Sequence, residues 1–306
     1  MTDRIYIIGA GAIGKALAVF LKLEGRNVTL LRGSVDGTMD YRELIEVILP
    51  DGTAAQTMVD VTTPERVTSF DGLVVLANKS FGNERLAALL EPKIRDVPVV
   101  LMQNGLGIEQ PFINRHFPLI FRCVLFATSQ SISRERLQFR AVTASPVGVV
   151  RGVVANLSCI IQQLNNRYFE FRPEQDIRPL VWKKTIINSV FNTVCPLLET
   201  DNGIFYRNKK VVEMAREVVD ECIKVAAFDG IRLDAEDVMD GLLQISRCSE
   251  GMLISTYQDL RRQQPTEIDA LNLAIVRAAD RLPGSGRVPA TRLLGTLIQL
   301  KSELQR

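Results

Sequence analysis

Three closely spaced glycines near the start of the chain place the strongest constraint on its fold. In "RIYIIGAGAIGKALAVFLKLEG", Gly9, Gly11 and Gly14 stand between a strand-like apolar run and a helix-like run. In a strand–turn–helix unit these glycines permit a tight turn, close approach of a diphosphate, and close packing of helix on strand. A turn without a ligand is the alternative. The predicted dinucleotide-binding residues of this loop are Gly9, Ala10, Gly11, Ala12, Ile13 and Gly14.

The first half of the chain alternates strand-like and helix-like segments. Buried strands are predicted at "NVTLLRG", "GLVVLAN" and "VPVVLMQNG", and a helix at "NERLAALLEPKI". The stretch 43–63 predicts a hairpin whose turn contains Pro50, Asp51 and Gly52. This alternation is typical of an α/β fold with a Rossmann-like, doubly wound sheet, and we expect antiparallel additions at one edge.

The second half has a different pattern. After about residue 172 the strand-like runs stop, and helices are predicted at "PLVWKKTIINSVFNTVCPLL", "KKVVEMAREVVDECIKVAAFDG", "AEDVMDGLLQISRC" and "EIDALNLAIVRAADRL". The charged connector "FRPEQDIRP" contains two prolines and marks the boundary. We therefore predict a nucleotide-binding domain at 1–172 and an all-α C-terminal domain at 173–306.

Composition and charge exclude several classes of function. The net charge of +2 offers no electrostatic basis for binding nucleic acid or a membrane surface. No apolar run is long enough to span a bilayer. Five widely spaced cysteines favour reduced thiols in a cytoplasmic protein over a disulfide framework. Because His116 is the single histidine, a Ser-His-Asp triad is not expected, and no metal site is predicted.

The residue that follows the second strand indicates which dinucleotide binds. An NAD site usually places an acid there to accept from the ribose hydroxyls. Here the strand ends with Arg32, whose guanidinium can hold a 2′-phosphate that an acid would repel. We predict NADP as the cofactor; an exposed loop arginine is the alternative.

Three polar patterns remain, and each has a purely structural alternative. Asn104 precedes Gly105 just after a predicted strand, which could be a simple turn. Lys184, Asn188 and Asn192 are four residues apart and would form one ridge of a helix, whose polar groups could instead bond neighbouring backbone. Glu267 stands at a predicted helix start, where an acid also suits the helix dipole.

Taken in order, GAGAIG, Arg32, NGLG, KxxxNxxxN and TEIDALN resemble the ketopantoate reductase (2-dehydropantoate 2-reductase) family over nearly the whole chain. The resemblance implies a Rossmann-like domain followed by a helical substrate domain. It also implies an NADP-dependent oxidoreductase that reduces a small 2-keto acid, with 2-dehydropantoate as the expected substrate.

The resemblance also implies roles for individual residues. Lys184 matches the catalytic lysine of the family, and Glu267 matches its catalytic glutamate. Arg32 and Lys79 match cofactor contacts. Asn104 matches the asparagine near both cofactor and substrate. The remaining substrate-binding residues implied by the family are Asn188, Asn192 and Ser255.

The chemistry of ketone reduction explains why a lysine and amides suit this role. Hydride addition to the carbonyl carbon develops negative charge on oxygen, which an ammonium group can stabilise and protonate. Two alternatives remain open: reduction of a different 2-keto acid, and a non-catalytic NADP-binding sensor. A homodimer is a possible oligomeric state.

Overall fold

The chain folds into two compact units. The structure is a computed structural model that describes residues 3–33, 39–282 and 287–305. The first unit comprises Met1–Gln103 and Glu109–Ile177, and the second comprises Asn104–Ile108 and Arg178–Arg306. The sequence pattern places the division after residue 172 and assigns the 104–108 segment to the first domain. In the structure this short segment belongs to the helical unit.

Eleven strands form one sheet in the described part of the first unit. They are β1 (Arg4–Ile8), β2 (Asn27–Leu31), β3 (Tyr41–Ile48), β4 (Ala54–Thr62), β5 (Leu73–Leu76), β6 (Val99–Leu101), β7 (Ile120–Cys123), β8 (Ala127–Ser131), β9 (Arg136–Ala141), β10 (Ser145–Arg151) and β11 (Phe171–Pro173). Their order is β11-β10-β7-β6-β5-β1-β2-β4-β3-β9-β8.

The six central strands, from β7 to β4, are all parallel. Their order reverses between β1 and β5, which is the switch point of a Rossmann-like sheet. The predicted hairpin is confirmed, since β3 and β4 pair antiparallel around the 50–52 turn. The structure has additions at both edges rather than at one. Strands β9 and β8 extend the sheet beyond β3, while β10 and β11 extend the opposite edge beyond β7.

Among the described residues, four α-helices accompany this sheet: α1 (Ala12–Leu23), α2 (Asn83–Leu90), α3 (Gln110–Asn114) and α4 (Ala155–Leu164). The first is buried from Gly14 to Leu21, because it packs on the sheet around Phe20 and its aromatic neighbours. It ends before Gly25, whose φ of +77° is the left-handed conformation that commonly terminates helices.

Helices are the regular secondary structure of the second unit in its described residues, as predicted. Its helices are α5 (Arg178–Leu197), α6 (Ile204–Arg207), α7 (Lys209–Phe228), α8 (Ala235–Cys248), α9 (Ser255–Arg261), α10 (Asn272–Asp280) and α11 (Pro289–Leu304). The core forms around α5, whose Ile186, Val190 and Val194 are almost completely buried. None of the helices in the described ranges has the length and apolar character needed to cross a membrane.

One helix begins later than the sequence indicates. Glu267 was expected at a helix start, but it lies in a bend, 268–271 forms turns, and α10 begins at Asn272. The carbonyl oxygen of Ala270 accepts a hydrogen bond from Leu106 N at 2.9 Å, so a tertiary contact occupies an acceptor that a continuous helix would use. Helices α4 and α11 also lie outside the helices predicted from the sequence.

Candidate active site

The three glycines of the loop differ in whether the surrounding protein leaves room for a side chain. Gly9 has a φ of +121°, and a Cβ atom there would lie 2.4 Å from Asn78 N. A Cβ at Gly14 would lie 1.9 Å from the carbonyl oxygen of Gly9. Side chains at these two positions are therefore excluded by neighbouring backbone, whatever binds to the loop.

Gly11 differs from both. Its φ of −81° and ψ of −178° are open to any residue, and among the described residues no atom lies within 4 Å of a Cβ built there. Gly11 also precedes α1, and no described side chain caps that helix. Open space before a helix N-terminus fits a diphosphate, which the free N–H groups and the helix dipole attract. The half-buried Ala10, Ala12 and Ile13 complete the loop.

Arg32 and Lys79 follow neighbouring parts of the same sheet. Arg32 follows β2, donates its backbone N–H to Thr62 O at 2.9 Å, and is only 8% exposed. Its Cζ lies 5.4 Å from the ring centroid of Tyr41. Lys79 is half-buried and starts a short 3₁₀ turn after β5, at the switch point. Asn78 Nδ2 donates to the carbonyl oxygen of Lys79 at 2.9 Å, which holds this turn.

The three residues of the predicted polar ridge on α5 differ in how deeply they are buried. Lys184 and Asn188 are half-buried, whereas Asn192 is 2% exposed. The Asn192 Oδ1 accepts from Ser255 Oγ at 3.1 Å and from Thr256 N at 3.2 Å, and its Nδ2 donates to Asn188 O at 2.9 Å. Thr256 N is a first-turn N–H of α9, so Asn192 caps that helix from another part of the fold. Two predicted substrate residues, Asn192 and Ser255, therefore bind each other.

The two adjacent lysines of α5 also differ. Lys183 Nζ donates to Asp237 Oδ2 of α8 at 2.6 Å, and the Lys183 side chain packs beside Gly241 of the same helix. Lys184 is the next residue along α5, so its side chain leaves the helix about 100° further around. Lys183 is therefore a link between two helices.

The Asn104 loop contacts the turn that contains Glu267. Gly105 has a φ of +103°, and a Cβ there would lie 2.3 Å from the carbonyl oxygen of Ala270. Leu106 N donates to that oxygen, while Ala270 N donates to Glu267 O at 3.0 Å. Asn104 and Glu267 are both half-buried. The fold thus brings together two motifs that are far apart in the sequence.

One buried and one partly buried polar pair hold the chain on either side of this loop. Gln103 and Asn83 exchange hydrogen bonds between their side-chain amides, at 2.8 and 2.9 Å. After the loop, Glu109 Oε2 accepts from Arg122 Nη1 at 2.6 Å, and Arg122 is 3% exposed. These four residues were missed in the sequence. The signal in the sequence that could have found two of them is the position of Gln103 and Glu109, which are polar residues on either side of NGLG next to a buried strand.

Two of the five cysteines lie buried in the helical unit. Burial raises the pKa of both Cys195, on α5, and Cys222, on α7, to about 12. At neutral pH these thiols are protonated and poorly nucleophilic. Within the described ranges, no group of three His, Cys, Asp or Glu side chains is arranged to hold a metal ion.

Comparison with known proteins decides the family. Residues 5–148 match the sequence model described as ketopantoate reductase PanE/ApbA, and residues 176–302 match the model for the C-terminal part of the same family. The chain belongs to the ketopantoate reductase family. The resemblance noted in the sequence and the assignment to an oxidoreductase with a Rossmann-like domain are thereby confirmed.

Individual proteins resemble the chain over its full length. A 2-dehydropantoate 2-reductase of Pyrococcus horikoshii is 29% identical over 308 residues, which cover 98% of each chain. The ternary structure of D-mandelate dehydrogenase with NADH and anilino(oxo)acetate has a TM-score of 0.84 at 21% identity, covering 99% of each chain. A dimeric ketopantoate reductase from Staphylococcus aureus has a TM-score of 0.82 at 18% identity, covering 99% of this chain and 100% of that one. The structural likenesses show a shared fold.

Proposed function

We propose that the chain uses NADPH to reduce a 2-keto acid to a 2-hydroxy acid, and that this acid is 2-dehydropantoate. The observation that carries the proposal is that the candidate site residues lie in one unit. The second unit contains Lys184, Asn188 and Ser255, and it also contains the Asn104 loop in contact with the Glu267 turn. The match to both family models supports the same proposal. The similar protein of Pyrococcus horikoshii supports 2-dehydropantoate as the substrate.

NADP is supported by the first unit. Arg32 follows β2 where an NAD site would place an acid, and Gly11 leaves room for a diphosphate before α1. Lys79 follows β5 at the switch point, which supports its role as a second cofactor contact. When bound, the reduced nicotinamide supplies the hydride. In this proposal 1–172 binds NADP and 173–306 binds the substrate, with Asn104 of the 104–108 segment joining the substrate residues.

Lys184 is the proton donor in this proposal. As the ketone carbon gains a hydride, negative charge grows on the carbonyl oxygen, and the Lys184 ammonium stabilises that charge and transfers a proton to the oxygen. The ion pair of Lys183 with Asp237 supports this choice between the two lysines, because Lys183 already has a structural task. Glu267 supplies opposite charge for the ammonium and orients the substrate.

The amides have separate tasks. Asn188 is half-buried and can donate to the substrate carboxylate while remaining neutral. Asn104 is held by the Gly105–Ala270 contact and orients the reacting groups. Asn192 remains a proposed substrate residue, but three of its four hydrogen-bonding positions are accounted for by Ser255, Thr256 and Asn188. The geometry supports Asn192 chiefly as the residue that positions Ser255.

Turnover with a panel of keto acids tests the proposal. NADPH oxidation is followed by absorbance with 2-dehydropantoate, phenylglyoxylate and short-chain 2-keto acids. We expect 2-dehydropantoate to have the highest kcat/KM. Lys184→Ala should lower kcat by about 100-fold or more, as for loss of a general acid, and the matched Lys183→Ala should keep most activity. A higher kcat/KM for another acid would support the alternative substrate, and cofactor binding without any turnover would support a sensor.

We also propose a homodimer formed through α11. Leu293, Leu297, Leu300 and Leu304 are spaced by four, three and four residues and are 61%, 41%, 47% and 85% exposed. This spacing forms one apolar stripe, which a second copy can cover with its own stripe. Light scattering should give a dimer for the wild type and a monomer for Leu297→Lys/Leu300→Lys. The control Leu44→Lys, at an exposed position of β3, should remain dimeric.

A location in the cytoplasm completes the proposal. All five cysteines are free, which supports a reducing compartment.

A further inference from the structure

Two of the predicted site residues follow neighbouring strands of the sheet. Strands β5 and β6 are parallel, and Leu76 pairs with Leu101 at their carboxyl ends. Just beyond this pair, Met102 N donates to Leu76 O at 2.9 Å. The chain then continues from β5 into the Lys79 turn and from β6 into the Asn104 loop. Because β6 ends at Leu101, the regular pairing of the two strands stops before it reaches Asn104.

Beyond the strands, the side-chain amides of Asn83 and Gln103 join the two segments. Gln103 Nε2 donates to Asn83 Oδ1 at 2.8 Å, and Asn83 Nδ2 donates to Gln103 Oε1 at 2.9 Å. The two residues are only 3% and 5% exposed. Asn83 is the first residue of α2, and Gln103 directly precedes Asn104. The pair therefore ties the residue before Asn104 to the start of a helix.

The chemistry of this pair gives it more than a space-filling role. Buried amide groups lose their hydrogen bonds to water, and two apolar side chains of the same shape can replace such a pair with little loss of stability. What the amides add is direction, because a hydrogen bond restricts both the distance and the angle between its partners. Two bonds in opposite senses hold Gln103 in one place and one orientation, whereas apolar packing would let it shift.

We propose that Asn83 and Gln103 are positioning residues for Asn104. On its other side, Asn104 is followed by Gly105, where a Cβ atom would lie 2.3 Å from the carbonyl oxygen of Ala270. Asn104 thus lies between two neighbours that are each held in place. This inference rests on the proposed function, in which Asn104 orients the reacting groups. A misplacement of about 1 Å at such a residue can lower the rate by about 100-fold.

Steady-state kinetics of Gln103→Met in the full-length protein test this role. Methionine has a similar length and volume, but it has no N–H to donate and only a weak acceptor. We expect kcat for keto-acid reduction to fall by about 10- to 100-fold, because the reacting groups lose their orientation. The KM for the keto acid and the Kd for NADPH should stay within about 3-fold, since orientation acts on the transition state. A folded variant with the kcat of wild type would overturn the inference.

Gln110→Met is the matched control. Gln110 Nε2 donates to Asn114 Oδ1 at 2.7 Å, so the same substitution removes another amide–amide hydrogen bond close to the loop in the sequence. Both of these residues are exposed on α3. Its kcat should stay within about 2-fold of wild type, as for an ordinary surface substitution. An equal loss of kcat in Gln103→Met and Gln110→Met would overturn the inference, because the effect would not be specific to the buried pair.

A double variant tests whether the pair acts through Asn104. In the Asn104→Ala background the side chain to be positioned is missing, so adding Gln103→Met should lower kcat by less than about 2-fold further. Losses that multiply fully would show that Gln103 acts independently of Asn104, and they would also overturn the inference.

Exchanging the two amides provides a rescue, which can be measured even if Gln103→Met does not fold. Gln103→Asn shortens the pair by one methylene group and should lower kcat. Asn83→Gln/Gln103→Asn restores the combined length of the two side chains and should recover part of that loss. A folded exchange variant that is no more active than Gln103→Asn would contradict a role for the geometry of the pair.

This proposal and the proposed function can fail separately. A wild type that oxidises NADPH with none of the 2-keto acids would refute the reductase function itself. A wild type that reduces a 2-keto acid, together with an equally active Gln103→Met, would refute only the positioning role of Asn83 and Gln103.

Discussion

The glycine loop of the first unit and the polar ridge of α5 in the second present similar patterns in the sequence but differ in how they are constrained. Gly9 and Gly14 are required by backbone within a few residues or on the adjacent strand end. On α5, Asn188 and Asn192 are equivalent by spacing, yet only Asn192 is buried and bonded to α9. The constraint on Gly14 comes from within the loop itself, whereas the environment of a helix face depends on what packs against it.

The largest expected effect separates two glycines of the loop. Gly14→Ala should destabilise the protein by about 3 kcal/mol or more, because the new methyl group meets the Gly9 carbonyl within a packed turn. Gly11→Ala should cost less than about 1 kcal/mol, since its backbone is extended and the space is open. It should nevertheless weaken NADPH binding. Denaturant unfolding and cofactor titration measure both effects; equal destabilisation by the two variants would contradict the division.

The next effect concerns the Glu267 turn, where the sequence predicted the start of a helix and the structure has a turn. Glu267→Gln removes the charge proposed to face Lys184, so on that proposal it should lower kcat/KM for the keto acid by about 100-fold while NADPH still binds. The matched change is Asp269→Asn. Asp269 is exposed and pairs with Arg277 at 2.7 Å, so its loss should cost less than about 1 kcal/mol of stability and little activity. Steady-state kinetics and thermal melts of both variants test this difference. Normal turnover by Glu267→Gln would show that Glu267 has no role in the active site.

A smaller effect divides the two asparagines of α5. Asn192→Ala should cost about 2 kcal/mol of stability, because it removes the acceptor for Ser255 Oγ and for the buried Thr256 N. Asn188→Ala should change stability by less than about 1 kcal/mol but reduce kcat/KM by about 10-fold through loss of one substrate hydrogen bond. Equilibrium unfolding and kinetics on both variants test this. If Asn188→Ala proved the more destabilising, the ridge would be structural along its whole length.

The smallest expected effect concerns the ion pair between Asp201 and Arg207 in the helical unit, and it depends on pH. Hydrogen bonds from Arg207 hold the pKa of Asp201 below its usual range. A lowered folded-state pKa stabilises the protein above the unfolded pKa of about 4, and that stabilisation is lost as pH falls through the folded value. Arg207→Gln should therefore lower Tm slightly at pH 7, and the gap to wild type should begin to shrink as the pH falls below about 4. A gap that stayed constant from pH 7 down to the acid-unfolding transition would show that Arg207 acts through packing instead.

The sequence was a reliable guide where an element depends on its own residues. Gly25 ends α1 and the 50–52 turn forms the hairpin, because φ preferences and turn chemistry act over a few residues. It was less reliable for Glu267, since Leu106 supplies a hydrogen bond from more than 160 residues away in the chain and interrupts the expected helix. The edge strands β8 to β11 likewise find their places only by pairing with other strands.

The sequence by itself determined the Rossmann-like order, the helical second unit and the residue types of the candidate site. These follow from glycine spacing, apolar periodicity and motifs whose physical demands are local. The tertiary structure alone decided that Asn192 caps α9, that Lys183 pairs with Asp237, and that Gln103 and Glu109 are held by buried partners. Such contacts join residues far apart in the chain. The spacing of residues along the sequence does not give their distance in the folded protein.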